Sequence, residues 1–296
     1  MKITVVIPVY KKTEAFIANL RNNLPYLTDC DVVVVNDDPE KSIKDEISVF
    51  DKIRLIENKK NMGFSAAVNI GVKQVKTQFV MLLNSDVKLL DKSFEKAIKY
   101  FEEKNVFAVS FAQKEKDGRI VGKNRIYFKN GFFQHNFAKD RKFGQNGWAE
   151  GGACLIDKQK FESLNGFDEI YSPFYWEDID LSYRAWKAGY TILFDPQVLV
   201  EHHHKTTIRA FYNSKQVRSI AFRNQLIFIW KNIHDGSKIF SHIIFLKLYL
   251  ISSLFRGDLE VWAGFWQAFT KNNTIMRKRK TVPQVRDDNE ILEIFS

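Results

Sequence analysis

Cysteine is scarce in this chain. Cys30 and Cys154 are the only two among 296 residues, and both lie in apolar stretches. A disulfide framework and the paired-cysteine spacings of zinc sites are therefore excluded, and the chain reads as a reduced, cytoplasmic protein. With 6 prolines and 14 glycines there is no collagen-like or low-complexity segment, and no internal repeat is apparent. No apolar run reaches the ~20 residues of a membrane span. The longest, 239–255, is interrupted by Ser241, His242, Lys247 and Ser252-Ser253, and is not read as transmembrane. The opening MKITVVIPVY has one lysine and no small-residue cleavage site, so it reads as a first strand rather than a signal peptide. Acidic residues are outnumbered, 35 against 45 Lys plus Arg, for a formal charge of +10. Such a balance serves solubility, or it suits an anionic partner such as a nucleotide or an anionic membrane. No recognised nucleic-acid motif is present, so nucleic acid is not expected as a partner.

What is present is a chain 45% hydrophobic, long enough for one large domain or two, with phenylalanine frequent at 26. Short apolar runs at 3–9, 31–35, 53–56, 79–83 and 106–111 alternate with helical patterns. Thr13 can cap a helix burying Phe16, Ile17, Leu20 and Leu24; a small-residue helix holds Ser65, Ala66, Ala67, Val68, Ile70 and Val72; Asp91 can cap one that buries Phe94, Ala97, Ile98 and Phe101. The alternation predicts an α/β fold with a mainly parallel sheet and helices on both faces. From Gln113 the texture changes. The turn signals Asp117-Gly118 and Asn130-Gly131 predict an antiparallel insertion over 114–143, followed by a glycine-containing loop at 144–152. Asp157 begins a short helix that ends at Asn165-Gly166. An acidic group opens a helix over 181–188 that Gly189 stops, and short strands at 190–194 and 197–200 flank Asp195-Pro196. Beyond about Thr207 the pattern is helical.

Polar residues stand at three successive strand ends: Tyr10, then Asn36-Asp37-Asp38, then Asn84-Ser85-Asp86. Ligands of open α/β sheets bind outside the carboxyl ends of the strands, where a carboxylate reaches a metal or a phosphate. The same residue types also make ordinary turns. Glu177, Asp178 and Asp180 crowd three acids into four residues. One such acid suits a helix N-terminus; like charges this close also raise a pKa, which suits a general base. Phe174, Tyr175 and Trp176 beside them form either a flat apolar wall for a sugar or core packing. In Glu201-His202-His203-His204 at most two imidazoles share a face, as metal ligands or as a polar strand end. Gly63, before a helix, allows close approach to phosphate or tight packing.

Taken in order, VVIPVY at 5–10, NDD at 36–38, NMGFSAAVNIG at 61–71, LLNSD at 82–86, GGACLIDKQKFESLNGFD at 151–168, WEDIDLSYRAWKAGY at 176–190, Val200-Glu201-His202 and Arg223-Asn224 give the chain a resemblance to glycosyltransferase family 2, in its bacterial rhamnosyltransferase-like branch. The resemblance covers about residues 2–224. It implies a GT-A fold over 1–207, with a nucleotide-sugar half at about 1–112 and an acceptor half at about 113–207, and a helical region with a basic tail at 208–296. It further implies inverting transfer from a nucleotide sugar, UDP- or dTDP-linked, to a hydroxyl of a cell-surface glycan or lipid-linked acceptor, assisted by a divalent metal, Mn²⁺ or Mg²⁺. On this resemblance Pro8, Tyr10, Asp37 and Asp38 line the base and ribose pocket. Asn61, Gly63, Phe64, Asn69, Asn84 and Ser85 shape the donor side. Asp86 matches the last residue of a D-x-D metal motif, and His202 completes the metal or diphosphate site. Asp178 is the base, with Glu177 beside it, and Gly152, Tyr175 and Trp176 face the acceptor. Two positions depart from the pattern: Asn84 replaces the first Asp of D-x-D, and Asn36 replaces an acid. Asn84 motivates the alternative, a nucleotide-sugar or glycan-binding protein that has lost catalysis. At the C-terminal end, the run 239–255, the aromatics Trp262, Phe265, Trp266 and Phe269, and the basic group Arg277-Lys278-Arg279-Lys280 predict either peripheral membrane contact, or packing, or a homo-oligomer interface.

Overall fold

The apolar runs become strands. In the structure, a computed structural model that describes residues 3–202 and 211–296, the first half folds as β1 (Ile3–Val9), α1 (Thr13–Asn23), β2 (Asp31–Asn36), α2 (Lys44–Ser48), β3 (Ile53–Glu57), α3 (Phe64–Val72) and β4 (Phe79–Leu83). β4 is buried along its whole length, as its unbroken apolar run predicts. β5 (Val87–Leu89), a 3₁₀ segment at Ser93–Glu102, β6 (Val106–Lys114) and β7 (Ile120–Val121) follow. β8 (Asn124–Lys129) and β9 (Phe132–Phe137) make a separate hairpin, and β10 (Gly144–Gln145), β11 (Ala153–Asp157), α4 (Lys158–Ser163), α5 (Glu177–Lys187) and β12 (Thr191–His202) complete the sheet region.

The main sheet runs β10-β12-β6-β11-β4-β1-β2-β3, with β5 on β12 and β7 on β6. β1 pairs in parallel with β2 on one side and with β4 on the other. The chain thus leaves β1 in one direction, to β2 and β3, and returns to β4 on the opposite side, which makes a topological switch point between β1 and β4. The β1–β4 pairing stops at Val6↔Leu82, so Pro8 stands where the two strands have already parted and its missing N–H removes no bond between them. Alternate side chains feed two cores: Val5, Ile7 and Val9 point to one, Val6 to the other.

Several local expectations change. β11, inside a stretch without a strand expectation, lies antiparallel in the middle of the sheet between β4 and β6. β12 is one long strand with an irregularity at Asp195/Leu199, rather than two. Thr13 lies inside α1, whose flanking residue Lys12 takes φ 50° without a side-chain cap. Asp91 accepts a hydrogen bond from the Ser93 N–H at 2.7 Å, but the segment it opens is 3₁₀. The Asn130-Gly131 turn forms as expected, with φ 52° and 75°, joining β8 to β9. Asp157 caps α4, and Gly189 follows α5 at φ 86°.

Five helices follow β12 among the described residues: α6 (Ser214–Asn232), α7 (Gly236–Phe255), α8 (Leu259–Phe269), α9 (Asn272–Arg279) and α10 (Asp288–Glu293). Leu226, Ile227, Phe228 and Ile229 of α6, with Val261, Ala268, Ile275 and Ile291, join the same core as Val6, Leu82 and Trp186. α10 is pinned to α5 by buried Asp288, which pairs with Lys187 at 2.7 Å and accepts from the Tyr183 hydroxyl at 2.7 Å. His203, His204 and the expected boundary at 207/208 lie outside the described residues.

α3 approaches the sheet through Gly71. A Cβ there would stand 2.5 Å from Val6 Cγ1 and 3.0 Å from Val35 Cγ2. Gly71→Ala should overpack this contact and destabilise the fold by about 1–3 kcal/mol. Urea unfolding checks it, and an unchanged or raised midpoint would contradict the close packing of α3.

Candidate active site

The strand ends at the switch point converge as the sequence predicts, but their side chains divide the work differently. Asp37 is buried, and its carboxylate accepts from Asn58 Nδ2 at 2.8 Å, Met62 N at 2.9 Å and Gly63 N at 2.8 Å. Burial nonetheless leaves its pKa raised, the hydrogen bonds opposing. Asp37 therefore ties down the 58–63 loop. Asn36, where an acid was expected, donates to Lys41 O at 2.7 Å and accepts from the Asp38 N–H, and Asp38 accepts from the Glu40 N–H at 3.1 Å. Tyr10, half-buried, meets Phe211 edge to face. Gly63 takes φ 82°, and a Cβ would come 3.3 Å from Ser172 Oγ. Asn61 Oδ1 accepts from the Gly63 N–H, and Phe64 packs on Phe167.

Asn69, expected on the donor side, spends its amide on the backbone of another turn. Its amide donates to Phe167 O at 2.9 Å and accepts from Phe167 N at 3.0 Å, clamping α3 to the 165–168 turn. It lines a cavity of about 910 Å³ whose lining includes none of the strand-end residues.

At the end of β4, Asn84 N–H donates to Gly152 O at 2.9 Å, and a Cβ on Gly152 would overlap the Asn84 amide. Gly152, expected to face the acceptor, thus packs against Asn84. Ser85 O accepts from Asn19 Nδ2 at 3.1 Å. Asp86 Oδ1 lies 3.4 Å from His202 Nε2. Behind the imidazole runs a chain of bonds that sequence reasoning did not find: His202 Nδ1 to Gln113 Oε1 at 2.5 Å, Gln113 Nε2 to Glu150 Oε2 at 2.6 Å, and Asn124 Nδ2 to Glu150 Oε1 at 3.1 Å. A carboxylate only accepts, so Gln113 must turn its NH₂ to Glu150 and its carbonyl to the histidine. Nδ1 then carries a proton for the Gln113 carbonyl, and Nε2 is the ring nitrogen turned toward Asp86. A histidine anchored through Nδ1–H is the usual metal-ligating arrangement. The donor set, one carboxylate oxygen and one imidazole nitrogen, fits a divalent cation, Mn²⁺ more naturally than Mg²⁺. No cluster of three or more His, Cys, Asp or Glu side chains suited to a metal occurs among the described residues.

The three acids of α5 separate by environment. Asp180 is fully buried, accepts from the Tyr171 hydroxyl at 2.7 Å and from Asn232 Nδ2 at 2.8 Å, and pairs with Arg184 and Lys231, each at 2.8 Å. Burial pushes its pKa up, but Arg184 and Lys231 outweigh it and hold the carboxyl well below the usual range. Asp180 is structural. Asp178 is half-buried and accepts from its neighbour Ile179 N–H at 2.8 Å and from the Gly151 N–H. Burial, then the nearby Glu150 charge, push it up to about 7. Glu177 is pushed up to about 8, by burial and then by Asp178, and its Oε2 has no hydrogen-bond partner among the described residues.

The backbone leading into α5 is strained, with Tyr175 at φ 70° and Trp176 at φ 77°. Asn224 of α6 holds it, donating to Tyr171 O, Phe174 O and Tyr175 O at 2.7–2.9 Å, while Arg223 donates to Ser172 O at 2.6 Å. Trp176 is only 6% exposed and packs among Phe133, His135 and Phe228, so it belongs to the core rather than to an acceptor wall. Tyr175 stays open to solvent.

Solved structures share this fold. GalNAc-T7, crystallised with UDP, GalNAc and Mn²⁺, matches with a TM-score of 0.63 at 14% identity, over 80% of this chain and 49% of that one. The mannosyltransferase PcManGT from Pyrobaculum calidifontis, in complex with GDP-Man and Mn²⁺, matches with a TM-score of 0.57 at 15% identity, over 92% and 86%. The fold is the GT-A fold. The model of glycosyl transferase family 2 matches residues 4–164, just over half of the chain, and the chain belongs to that family. Among curated relatives, the pre-mycofactocin glycosyltransferase of Mycobacterium tuberculosis is 25% identical over 212 residues, covering 70% of this chain and 44% of that protein. The N-acetylglucosaminyl-diphospho-decaprenol L-rhamnosyltransferase of the same organism is 40% identical over 57 residues, covering 19% and 18%. The chain spans less than half the length of these two relatives.

Asn224→Ala would leave the Phe174 and Tyr175 carbonyls without the Asn224 donor, leave Tyr171 O only its longer bond from Arg223, and loosen the strained turn. A loss of about 1–3 kcal/mol is expected, read as a drop of several degrees in Tm. Unchanged thermal stability would show that the turn is held by something other than Asn224.

Proposed function

We propose that the chain is an inverting glycosyltransferase that moves a sugar from a nucleotide-sugar donor, UDP- or dTDP-linked, to a hydroxyl of a glycan or lipid-linked acceptor at the cytoplasmic face of the membrane. The observation that supports it most is the meeting, at one sheet edge, of the Asp86–His202 pair with a carboxyl group, Asp178, whose proton affinity is raised toward neutrality.

In this reading the donor lies along the ends of β1, β2 and β4, its diphosphate toward Asp86 and its sugar toward Asp178. The acceptor hydroxyl gives its proton to the Asp178 carboxylate as its oxygen bonds to the anomeric carbon. The bond from that carbon to the diphosphate breaks on the opposite face, and the nucleoside diphosphate leaves with the electron pair. A base with pKa near the working pH serves such a transfer best. Burial raises both Glu177 and Asp178, and the Asp178 charge raises Glu177 further, which disfavours two negative charges at once. When bound by Asp86 and His202, a divalent cation would offset charge growing on the diphosphate. Asn84 in place of a carboxylate lowers the negative charge available to that cation. This same residue favours the second reading, a binder without turnover, and sustained donor turnover across a panel of sugar nucleotides would exclude it.

Asp178→Asn should lower transfer by about 10²–10⁴-fold with nucleotide binding nearly unchanged. Because the carboxyl is raised to about 7, wild-type activity should climb as pH rises through neutrality and the base loses its proton; full activity in the Asn variant rejects the base assignment. For the metal, Asp86→Ala should remove the Mn²⁺-dependent part of nucleotide binding in calorimetric titration. Equal wild-type affinity with and without Mn²⁺ would sink that role.

A further inference from the structure

α7 is amphipathic in the wrong sense for water. Its 20 residues include no Asp or Glu. The inner stripe, His242, Leu246, Leu250 and Ser253, holds polar groups that are bonded inside the fold: His242 Nδ1 meets Gly131 O at 2.7 Å, and its Nε2 accepts from Trp230 Nε1 at 2.9 Å. The outer face instead presents Phe240, Leu248, Ile251, Leu254 and Phe255, between 53% and 88% exposed. The surface continues past the Gly257 turn to Leu259 and Trp266 of α8, both more than half exposed. A soluble monomer keeps its largest apolar patch to roughly 300–600 Å², and a helix at a water interface turns its polar side outward.

The charges around the patch select its occupant. Lys247 and Arg256 lie on or beside the apolar face, and Arg277 and Lys280 are exposed farther along. The nearby acids are engaged within the chain: Asp258 pairs with Arg218, and Glu260 with Lys215. A second copy laid face to face would bring Lys247 and Arg256 against their own counterparts, whereas anionic headgroups complement them. Although α7 has the length and composition of a membrane-spanning helix, its inner stripe is bonded to the β8–β9 hairpin and to α6, which holds it along the surface of the fold.

We propose that α7 and the start of α8 form a membrane-docking face that lies in the headgroup region of an anionic bilayer. This deepens the proposed function by seating the enzyme where lipid-linked acceptors are, but it does not rest on the transfer chemistry: vesicle binding and donor turnover are read separately.

The test is flotation of the full chain with phosphatidylcholine vesicles, with and without phosphatidylglycerol, at low and high salt. The wild-type chain should float with anionic vesicles, more at low salt than at high. The double variant Leu248→Glu, Phe255→Glu should lose at least about tenfold in partitioning, while keeping the wild-type circular-dichroism spectrum and donor turnover in solution. Three results overturn the proposal. One is a wild-type chain that stays soluble with every vesicle. Another is light scattering that shows a dimer dissolved by the double variant, which assigns the face to a second copy. The third is a chain released from vesicles only by detergent and indifferent to their charge, which assigns α7 to a span.

Discussion

The candidate site depends on three consecutive residues just before β11, Glu150, Gly151 and Gly152. The Glu150 carboxylate holds Gln113, which holds His202 against Asp86. The Gly151 N–H binds the Asp178 carboxylate. Gly152 lies under the Asn84 side chain, and its carbonyl accepts from Asn84 N–H. The expected metal side and the expected base are thus separated in sequence by about half the domain yet share one short backbone segment. β11 makes this possible because it runs antiparallel between β4 and β6 and delivers 150–152 to the carboxyl ends of the parallel strands. A Cβ at 152 would overlap the Asn84 amide, so any larger residue there must displace that side chain.

Environment, rather than residue type, sorts the acids. Asp180 and Asp178 are two positions apart on one helix. Asp180 points into a buried network with Arg184, Lys231 and Asn232 and is fixed in its charged form. Lys231 reaches on to Asp168 at 2.6 Å, so α5, α6 and the turn before the Glu169–Tyr171 3₁₀ segment are joined by compensated charges. Removing one member of such a network strands its partners, which destabilises far more than the intact network stabilises. Asp178 is instead pushed toward neutrality, by burial first and then by the Glu150 charge. Carboxyls whose surroundings drive their pKa values apart are how one scaffold keeps structural and chemical acids side by side.

Much of this was legible in the residues. Strands β1 to β4 show as short apolar runs with polar ends, and burial on both faces leaves a sequence little choice but continuous hydrophobicity. The Asn130-Gly131 turn and the Asp157 cap carry local chemistry that acts over two or three residues. β11 escaped because its run, ACLID, is short and sits between glycines and a helix cap. The role of Gln113 escaped for a different reason, as did that of Asn224, which stood in the sequence only as part of a motif. Each is a polar residue inside a regular element, and its partners lie 37 to 89 positions away for Gln113 and 49 to 53 for Asn224. Asn69 was prominent as part of a motif, yet its amide serves the Phe167 backbone. The apolar character of 239–255 was equally plain, but which side would face outward depends on what the hairpin tip at Gly131 covers.

The central claim is geometric: the base and the diphosphate anchor act on opposite faces of one anomeric carbon. Proton NMR of the first sugar released during donor hydrolysis, recorded before mutarotation, tests this without knowledge of the acceptor, since water then takes the acceptor's place. Attack opposite the diphosphate predicts that an α-linked donor first yields the β anomer. First release of the α anomer would contradict the placement of Asp178 across the carbon from Asp86.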